Sequence, residues 1–216
     1  MRYRLIVFDW DGTLLDSASG IVESIQEAAR DLRLPVPTRE TASHVIGLGL
    51  HDSLRTAVPT LAVDRYREFA EAYRRHFLAR QGGMTLFPGV REVLRELHQA
   101  GVQLAVATGK SRRGLEQAFD ATALRDFFAA SRCADETEPK PHPAMLLELM
   151  RQLAAAPAQA LMIGDTSHDV EMARSANVDA VAVSYGAHAE ADLRALRPRA
   201  CLASVAELRQ WLRQHG

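Results

Sequence analysis

The sequence predicts an α/β fold in which a parallel sheet forms the core and one block of helices is inserted into it. Three observations support this: six short apolar runs have the length of strands, helical patterns separate most of them, and one long stretch shows no strand pattern. A continuous apolar run is typical of a parallel strand that is covered on both faces. Strands that alternate with helices favour a parallel sheet with right-handed crossovers.

The predicted elements follow from these runs. The strands are Leu5–Phe8, Val102–Thr108, Phe127–Cys133, Ala160–Gly164, Ala180–Val183 and Ala200–Val205. The main helices between them are Val90–Ala100, Ser111–Ala123, Ala144–Ala155 and Ser167–Ala176. Gly101 follows the first of these helices, where a left-handed residue often ends a helix. Thr166 or Ser167 offers a hydroxyl group that can cap the last one.

Residues 16–83 break the alternation of strands and helices. Apolar residues recur there at helical spacing, and proline and glycine residues interrupt the pattern. We expect a separate small helical domain at 16–83, inserted into a core formed by residues 1–15 and 84–216. Its two connections, near Asp16 and Gly83, would lie side by side at the edge of the sheet.

Composition narrows the class of protein. The chain has 216 residues, 47% of them hydrophobic, which is enough to bury a full core. The net charge of −1 gives no basic field for a nucleic-acid partner, and no run approaches the roughly 20 apolar residues of a membrane span. Cys133 and Cys201 are far apart and fit a reducing compartment with free thiols. We therefore expect a cytoplasmic protein with no nucleic-acid partner and no membrane partner.

Two acids follow the first predicted strand, in the run Asp9-Trp10-Asp11-Gly12-Thr13-Leu14. Side chains alternate along an extended chain, so Asp9 and Asp11 are expected to point to the same side. Two adjacent carboxylates repel each other unless a cation or a proton lies between them. The pair therefore indicates either a bound metal or a shared proton. The alternative interpretation is a solvated turn, because Asp-Gly is a common turn dipeptide.

Polar signals also follow three other predicted strands. Thr108-Gly109-Lys110 ends the second strand, Lys140 lies in a loop after the third, and Asp165 and Asp169 follow the fourth. Each signal has an ordinary structural interpretation, such as a turn, a solvated lysine or an acid at a helix N-terminus. Open α/β sheets bind ligands beyond the carboxyl ends of their strands. The placement of all four signals at that edge predicts one functional site.

The residue types in this set suit phosphoryl transfer. The four acids supply hard oxygen ligands, and a few carboxylates with several waters suit Mg²⁺, which often completes its shell with a phosphate. Lys140 supplies a compact positive charge, while the Thr108 hydroxyl and the amides around Gly109 supply donors for an anion. One carboxylate can form an aspartyl-phosphate. A second can protonate the leaving oxygen and later activate water.

The four signals, in this order, resemble the motifs of the haloacid dehalogenase-like hydrolase superfamily, and the resemblance spans the whole chain. The run from Asp9 to Leu14 is similar to the first motif, Thr108 to the second, Lys140 to the third, and Gly164-Asp165-x-x-x-Asp169 to the fourth. The resemblance implies a Rossmann-like parallel core with a helical cap domain at residues 16–83.

The resemblance also implies a role for each motif residue. Asp9 would be the nucleophile and Asp11 the general acid and base. The Asp9 carboxylate, the Asp11 main-chain carbonyl and Asp165 would hold Mg²⁺, with Asp169 either on the metal or supporting one of its ligands. Thr108 and Lys140 would hold the phosphoryl group.

Details of the motifs make the chain most similar to the phosphoglycolate phosphatase subgroup. True dehalogenases lack the acid at Asp11, and sugar phosphomutases usually carry a His where this chain has Ile21. The loop Ile46-Gly47-Leu48-Gly49-Leu50 is similar to the cap loop of that subgroup, so Gly47 and Gly49 are expected, with Gly109, to bind substrate. Many members have Asn at the position of Gly109, and this departure leaves the substrate open.

We therefore predict a Mg²⁺-dependent phosphatase that acts on a small phosphorylated metabolite, as a monomer or a homodimer. A phosphomutase, a pyrophosphatase or a sugar-phosphate phosphatase would use the same residues, and a binding module would keep the pocket without turnover. In the cap, His44, His51 and Arg55 would either meet a substrate carboxylate or remain solvated.

Overall fold

Six parallel strands form a single sheet in the computed structural model, which describes residues 2–215. They are β1 (Leu5–Phe8), β2 (Gln103–Thr108), β3 (Ala130–Cys133), β4 (Ala160–Gly164), β5 (Asp179–Val183) and β6 (Ala200–Leu202). Their order across the sheet is β3-β2-β1-β4-β5-β6, which is the order of Rossmann folds and confirms the predicted fold class. The strand order reverses between β1 and β4, and ligands bind at such a reversal, beyond the carboxyl ends of the strands.

Two strands are shorter than predicted, because apolar side chains alone do not show where a strand ladder ends. The third strand was expected from Phe127, but Arg125–Phe127 form a 3₁₀ turn whose phenylalanine packs against the core outside the ladder. The sixth was expected to reach Val205. It ends at Leu202, because Ser204 accepts a hydrogen bond from the Glu207 amide at 3.2 Å and begins the last helix.

The helices lie on both faces of the sheet and in the insertion. They are α1 (Ala18–Asp31), α2 (Arg39–His44), α3 (Leu50–Ala57), α4 (Tyr66–Gln81), α5 (Val90–Gln99), α6 (Arg112–Thr122), α7 (Ala144–Gln152), α8 (Ser167–Ser175), α9 (Glu190–Ala195) and α10 (Val205–His215). Helices α5, α6 and α10 cover one face of the sheet, and α7, α8 and α9 cover the other. Within residues 2–215, no helix is both long enough and apolar enough to cross a bilayer.

The side chains of β1 show why its sequence does not alternate between apolar and polar residues. Ile6 and Phe8 pack into one apolar layer, and Leu5 and Val7 pack into the opposite one. All four are fully buried. A strand at the centre of a sheet that is covered on both faces has no solvent side, so each of its positions is apolar.

The insertion consists of helices α1 to α4, with a 3₁₀ turn at Val63–Arg65. These helices bury an apolar cluster of their own, separate from the two layers on the sheet, which includes Ile21, Ile25, Leu54 and Phe69. Helix α1 packs against α4. The insertion is thus wholly helical, as its helical periodicity indicated, and it stabilises itself by its own apolar contacts.

The two connections to the insertion lie side by side. Leu15 pairs in antiparallel fashion with Leu86. The Asp16 amide donates to the Thr85 carbonyl at 2.9 Å, and the Phe87 amide donates to the Leu14 carbonyl at 3.1 Å. The pairing places both connections a few residues beyond Asp9 and Asp11, as the sequence predicted.

Candidate active site at the carboxyl edge of the sheet

Asp9 is the first residue beyond β1 and is almost fully buried. Its Oδ1 accepts a hydrogen bond from the Trp10 amide at 2.6 Å. Its Oδ2 is buried and has no hydrogen-bond partner. Buried polar atoms are nearly always paired, so this oxygen indicates a position for a ligand or a reacting group. A side chain added at Gly47 would begin 3.8 Å from Oδ2, which places the oxygen beneath the cap loop.

Lys140 is fully buried between two carboxylates. Its Nζ lies 2.9 Å from Asp9 Oδ1 and 2.6 Å from Asp169 Oδ1. Burial alone would lower the pKa of Lys140, but the charges of Asp169 and Asp9 outweigh burial and raise this pKa above its ordinary value. The interpretation of Lys140 as a solvated lysine is therefore wrong. Here the ammonium group contacts carboxylates, and it does not line the cavity described below.

Asp165 and Asp169 extend the buried cluster beyond β4. Asp165 Oδ1 accepts a hydrogen bond from the Thr13 hydroxyl at 2.6 Å, and its Oδ2 accepts one from the Ala187 amide at 2.7 Å. Asp169 Oδ2 accepts from the amide and the hydroxyl of Thr166, at 3.1 and 2.7 Å, and so caps the first turn of α8. Both carboxylates are held in place by the core itself. Thr13 was not among the predicted site residues, although it lies in the first motif.

Two glycines allow the backbone to close around Asp165. A Cβ atom added at Gly12, which has a φ of +77°, would lie 2.1 Å from Asp165 Oδ2. One added at Gly186 would lie 2.2 Å from the same oxygen. Any side chain at either position would therefore displace the carboxylate. The tight backbone cradle around this acid explains the glycine in the first motif.

The acids at this edge fit a divalent cation. Ligand oxygens of Asp9, Asp165 and Asp169 all lie within 4.8 Å of one another. Burial raises the pKa of Asp9 to about 7, although the charge of Lys140 opposes this. Burial also raises the pKa of Asp165 well above its ordinary value, with repulsion from Asp9 and Asp169 adding to the shift. A hard cation would relieve this repulsion.

The Asp11 carboxylate belongs to a different set of contacts. Its Oδ1 accepts a hydrogen bond from the Ser17 hydroxyl at 2.7 Å, and its Oδ2 lies 2.9 Å from Lys110 Nζ. Lys110 Nζ in turn lies 4.7 Å from the centre of the Phe77 ring in the cap. Asp9 and Asp11 line the same cavity, but their carboxylates have different ion-pair partners. Each carboxylate has its own lysine.

Thr108 and Gly109 end β2 beneath the cap loop, and both line the cavity. The Thr108 hydroxyl accepts a hydrogen bond from the Lys110 amide at 3.2 Å. A Cβ atom added at Gly109 would lie 2.6 Å from the Gly47 carbonyl oxygen. The close approach of the two loops explains the departure at Gly109: an Asn side chain there would collide with the cap loop.

Not every predicted cap residue reaches the site. Gly47 lines the cavity, whereas Gly49 packs against Pro139, and a Cβ atom added at Gly49 would lie 2.9 Å from that proline ring. His51 lies against the Tyr66 ring, with 5.1 Å between ring centres. Arg55 forms an ion pair with Asp52 at 2.9 Å on the surface. Gly49, His51 and Arg55 are absent from the cavity wall.

Three histidines join the cap to the core, an arrangement that the sequence did not reveal. Nε2 of His168 and Nε2 of His188 lie 2.7 and 3.2 Å from the main-chain carbonyl of His44, at the end of α2. Burial lowers the pKa of both core histidines, that of His188 to about 4. The position of His168 next to Asp169 was the available signal. Only the fold shows that His44 meets it.

A cavity of about 420 Å³ lies between the insertion and the sheet edge. Asp9, Asp11, Thr108 and Lys110 line it from the core side, and Gly47 and Phe77 line it from the cap. The cavity gives a substrate access to the unpaired carboxylate. The site therefore combines a charged, buried edge with a cap that covers it.

A comparison with protein families accounts for this arrangement. A model described as haloacid dehalogenase-like hydrolase matches residues 6–183, which include the four motifs and the insertion. The chain is a haloacid dehalogenase-like hydrolase. The match confirms the family suggested by the motif order, and it spans the helical cap and the sheet as far as β5.

Similar proteins of known name narrow the class of hydrolase. It is 35% identical, over 94% of the chain and 91% of the relative, to the probable phosphatase IndB of Dickeya dadantii. It is 32% identical to a phosphoglycolate phosphatase of Vibrio vulnificus, over 95% and 94% of the two chains. Tyrosine-protein kinase PtkA of Mycobacterium tuberculosis is 36% identical over 85% of the chain, which spans 62% of that protein.

A solved structure shares the whole architecture. A predicted phosphatase from Clostridium acetobutylicum superposes with a TM-score of 0.87 at 25% identity, over 99% of this chain and all of the other. The similarity to the phosphoglycolate phosphatase subgroup is thus confirmed. The relatives named as phosphatases confirm the predicted enzyme class, a phosphoric monoester hydrolase.

Proposed function

We propose that the enzyme hydrolyses the phosphate monoester of a small metabolite and that Asp9 forms an aspartyl-phosphate during the reaction. One observation carries the proposal: Asp9 Oδ2 is buried, unpaired and adjacent to the cavity, while Oδ1 is held by Lys140 and the Trp10 amide. A carboxylate with one fixed oxygen and one free oxygen is oriented for attack.

The chain's own residues can carry each step. Asp9 Oδ2 forms a bond to phosphorus as the bond from phosphorus to the ester oxygen breaks, and Asp11 gives its proton to that leaving oxygen. Asp11 then takes a proton from a water molecule, which attacks phosphorus and frees Asp9 and inorganic phosphate. The Thr108 hydroxyl, on the cavity wall, donates a hydrogen bond to a phosphoryl oxygen. Lys110 and Ser17 fix the direction of the Asp11 carboxylate.

The buried acids fit Mg²⁺. Asp9, Asp165 and Asp169 and the Asp11 main-chain carbonyl would hold it, with Asp169 also retained by its capping bonds to Thr166. When bound, the ion neutralises phosphoryl oxygens and the repulsion among the acids. Lys140 keeps the cluster from carrying its full negative charge and holds Asp9 and Asp169 at a fixed separation.

Residues 16–83 act in this proposal as a cap domain that covers the site. The paired connections at Leu15 and Leu86 join the cap to the core. Closure excludes bulk water from the reacting groups and brings Gly47 and Phe77 onto the part of the substrate beyond its phosphate. We also propose a cytoplasmic location, because Cys133 and Cys201 are both buried free thiols.

Release of inorganic phosphate from a panel of monoesters tests the proposal. The panel contains p-nitrophenyl phosphate, 2-phosphoglycolate, sugar phosphates and pyrophosphate, each assayed with Mg²⁺ and with excess chelator. We expect Mg²⁺-dependent release by the native protein and none by a folded Asp9→Asn variant. Turnover in chelator would overturn the metal assignment, and turnover by Asp9→Asn would overturn the covalent route. Conversion of a sugar phosphate to its isomer without phosphate release would make the enzyme a mutase instead.

A further inference from the structure

The cavity above Asp9 extends into the apolar interior of the cap. Its wall includes Ile21, Ile25, Leu54 and Phe69, which also belong to the buried apolar cluster of the cap. Leu54 is 3% exposed and Phe69 2% exposed. The open space is therefore not confined to the seam between cap and core: it continues from the catalytic carboxylates in among the cap helices.

The charged groups on this wall are few, and the one nearest to Asp11 is already neutralised. Lys110 pairs with Asp11. Arg74 and Arg113 also line the cavity, and neither forms an ion pair within residues 2–215. Arg113 is exposed, so it lies where the cavity meets solvent. The cap helices thus contribute mainly apolar side chains.

A two-carbon acid does not match this space. The part of 2-phosphoglycolate beyond its phosphate group is only a methylene and a carboxylate, so it is both short and charged. The cavity measures about 420 Å³. Arg74 can pair with a carboxylate near it on the wall, but a carboxylate that lay among Ile21, Ile25 and Phe69 would lose its hydration without gaining a hydrogen bond, which is costly. Pockets of this size and character bind larger, mostly apolar molecules.

We propose that the substrate is the phosphate monoester of an alcohol with an extended apolar body, aliphatic or aromatic, which lies among Ile21, Ile25, Leu54 and Phe69. The inference rests on the proposed function, because Asp9 must receive the phosphoryl group for the cavity to receive the alcohol. Phosphate and apolar body then occupy two ends of one continuous space. The cap selects among phosphate monoesters by how much apolar surface of the substrate it buries.

A series of alkyl phosphates measures this burial directly. Methyl, propyl and hexyl phosphate carry the same reacting group on chains of increasing length. Complete burial of one methylene group would raise kcat/KM about fourfold, the factor that corresponds to ~0.8 kcal/mol. We expect a total rise of at least about tenfold from methyl to hexyl phosphate, and a lower kcat/KM for 2-phosphoglycolate than for hexyl phosphate.

A substitution that fills the cavity supplies the second test. Ala70 lies on α4 and lines the cavity, so Ala70→Leu places an isopropyl group in the proposed binding space. Ala79 lies on the same helix, is exposed and is not on the cavity wall, so Ala79→Leu is the matched control. We expect Ala70→Leu to reduce the ratio of hexyl to methyl kcat/KM at least fivefold and Ala79→Leu to leave that ratio unchanged.

The outcomes separate this inference from the function beneath it. A flat or falling dependence on chain length, or a preference for 2-phosphoglycolate over hexyl phosphate, would overturn the apolar substrate and leave the phosphatase intact. An equal ratio in Ala70→Leu and Ala79→Leu would show that the alkyl chain lies elsewhere. Hydrolysis of no monoester, p-nitrophenyl phosphate included, would overturn both the function and the inference.

Discussion

Two lysine–carboxylate pairs lie side by side at the sheet edge, and they differ in how deeply they are buried. Lys140 and Asp9 lie wholly inside the core, with exposed fractions of 0% and 1%. Lys110 and Asp11 lie under the cap, each 11% exposed, with the Phe77 ring above the ammonium group. The first pair is held by core contacts, from the Trp10 amide to Asp9 and from Lys140 to Asp169. The second depends on the position of the cap.

This difference divides the proposed chemistry between two regions. The nucleophile and the metal ligands are held by the core and should be indifferent to the cap. Asp11, the proposed acid for the leaving group, lies under the cap, so closure of the cap can change its position. Substitutions that affect one pair and spare the other test whether the two regions act independently.

The largest effect is expected for Lys140→Met. The substitution leaves Asp9 and Asp169 buried without their cation, and breaking a buried pair in this way costs about 3–5 kcal/mol of unfolding free energy. Turnover should fall by about 10²–10³, the typical loss when one electrostatic group is removed from an active site. Urea unfolding and phosphate release measure the two losses. Unchanged stability would mean that Lys140 is not the structural counter-ion of the cluster.

A smaller effect is expected for Gly109→Ala, which tests whether the cap loop lies on β2 as described. The new methyl group would lie 2.6 Å from the Gly47 carbonyl oxygen, and such overpacking costs about 1–3 kcal/mol. Gly101→Ala is not a suitable control, because Gly101 has a positive φ. Gly82→Ala is suitable, because nothing lies within 4 Å of a Cβ atom there. Equal unfolding midpoints for the two variants would contradict the loop contact.

Lys110→Met should affect chemistry more than stability. The Lys110–Asp11 pair keeps some contact with solvent, each side chain being 11% exposed, so we expect a smaller loss of unfolding free energy than for Lys140→Met. Loss of the orienting contact should slow alkyl phosphates by about tenfold, within the range of general acid catalysis. Aryl phosphates, whose leaving oxygens need less protonation, should slow less. Equal losses of rate on both classes of ester would show that Lys110 does not assist proton transfer by Asp11.

The smallest effect concerns Cys133, which ends β3 on the core side. Burial raises the pKa of this thiol to about 12, so the reactive thiolate, the form lost as pH falls below the pKa, is scarce at pH 8. We expect slow alkylation of Cys133 at pH 8 in the native enzyme, and the same slow rate in Phe77→Ala, which removes the cap ring above Lys110. Faster labelling in that variant would show that the core edge does depend on the cap.

The sequence was sufficient to predict the sheet and the location of the site. Continuous apolar runs mark strands that are buried on both faces, and parallel strands bring their carboxyl ends to one edge, so the sequence alone predicts that Asp9, Thr108, Lys140 and Asp165 lie together. The helical character of residues 16–83 followed from their periodicity.

The contacts between cap and core could not be predicted from the sequence. The partners of Lys110, the meeting of His44 with His168 and His188, and the packing of Gly49 on Pro139 all depend on how two separately packed units meet. Periodicity along one chain carries no information on that geometry. The ends of β3 and β6 were missed for a related reason, because Phe127 and Val205 are apolar for packing and not for pairing.

Covalent participation of Asp9 in the reaction can be observed within a single turnover. The native enzyme is mixed with p-nitrophenyl phosphate and Mg²⁺, quenched with acid within the first turnover, digested and examined by mass spectrometry. We expect a phosphoryl group on Asp9, in an amount that matches the burst of nitrophenol, and none on the Asp9→Asn variant. A burst of nitrophenol with no phosphoryl group on the protein, or with one on another residue, would contradict it.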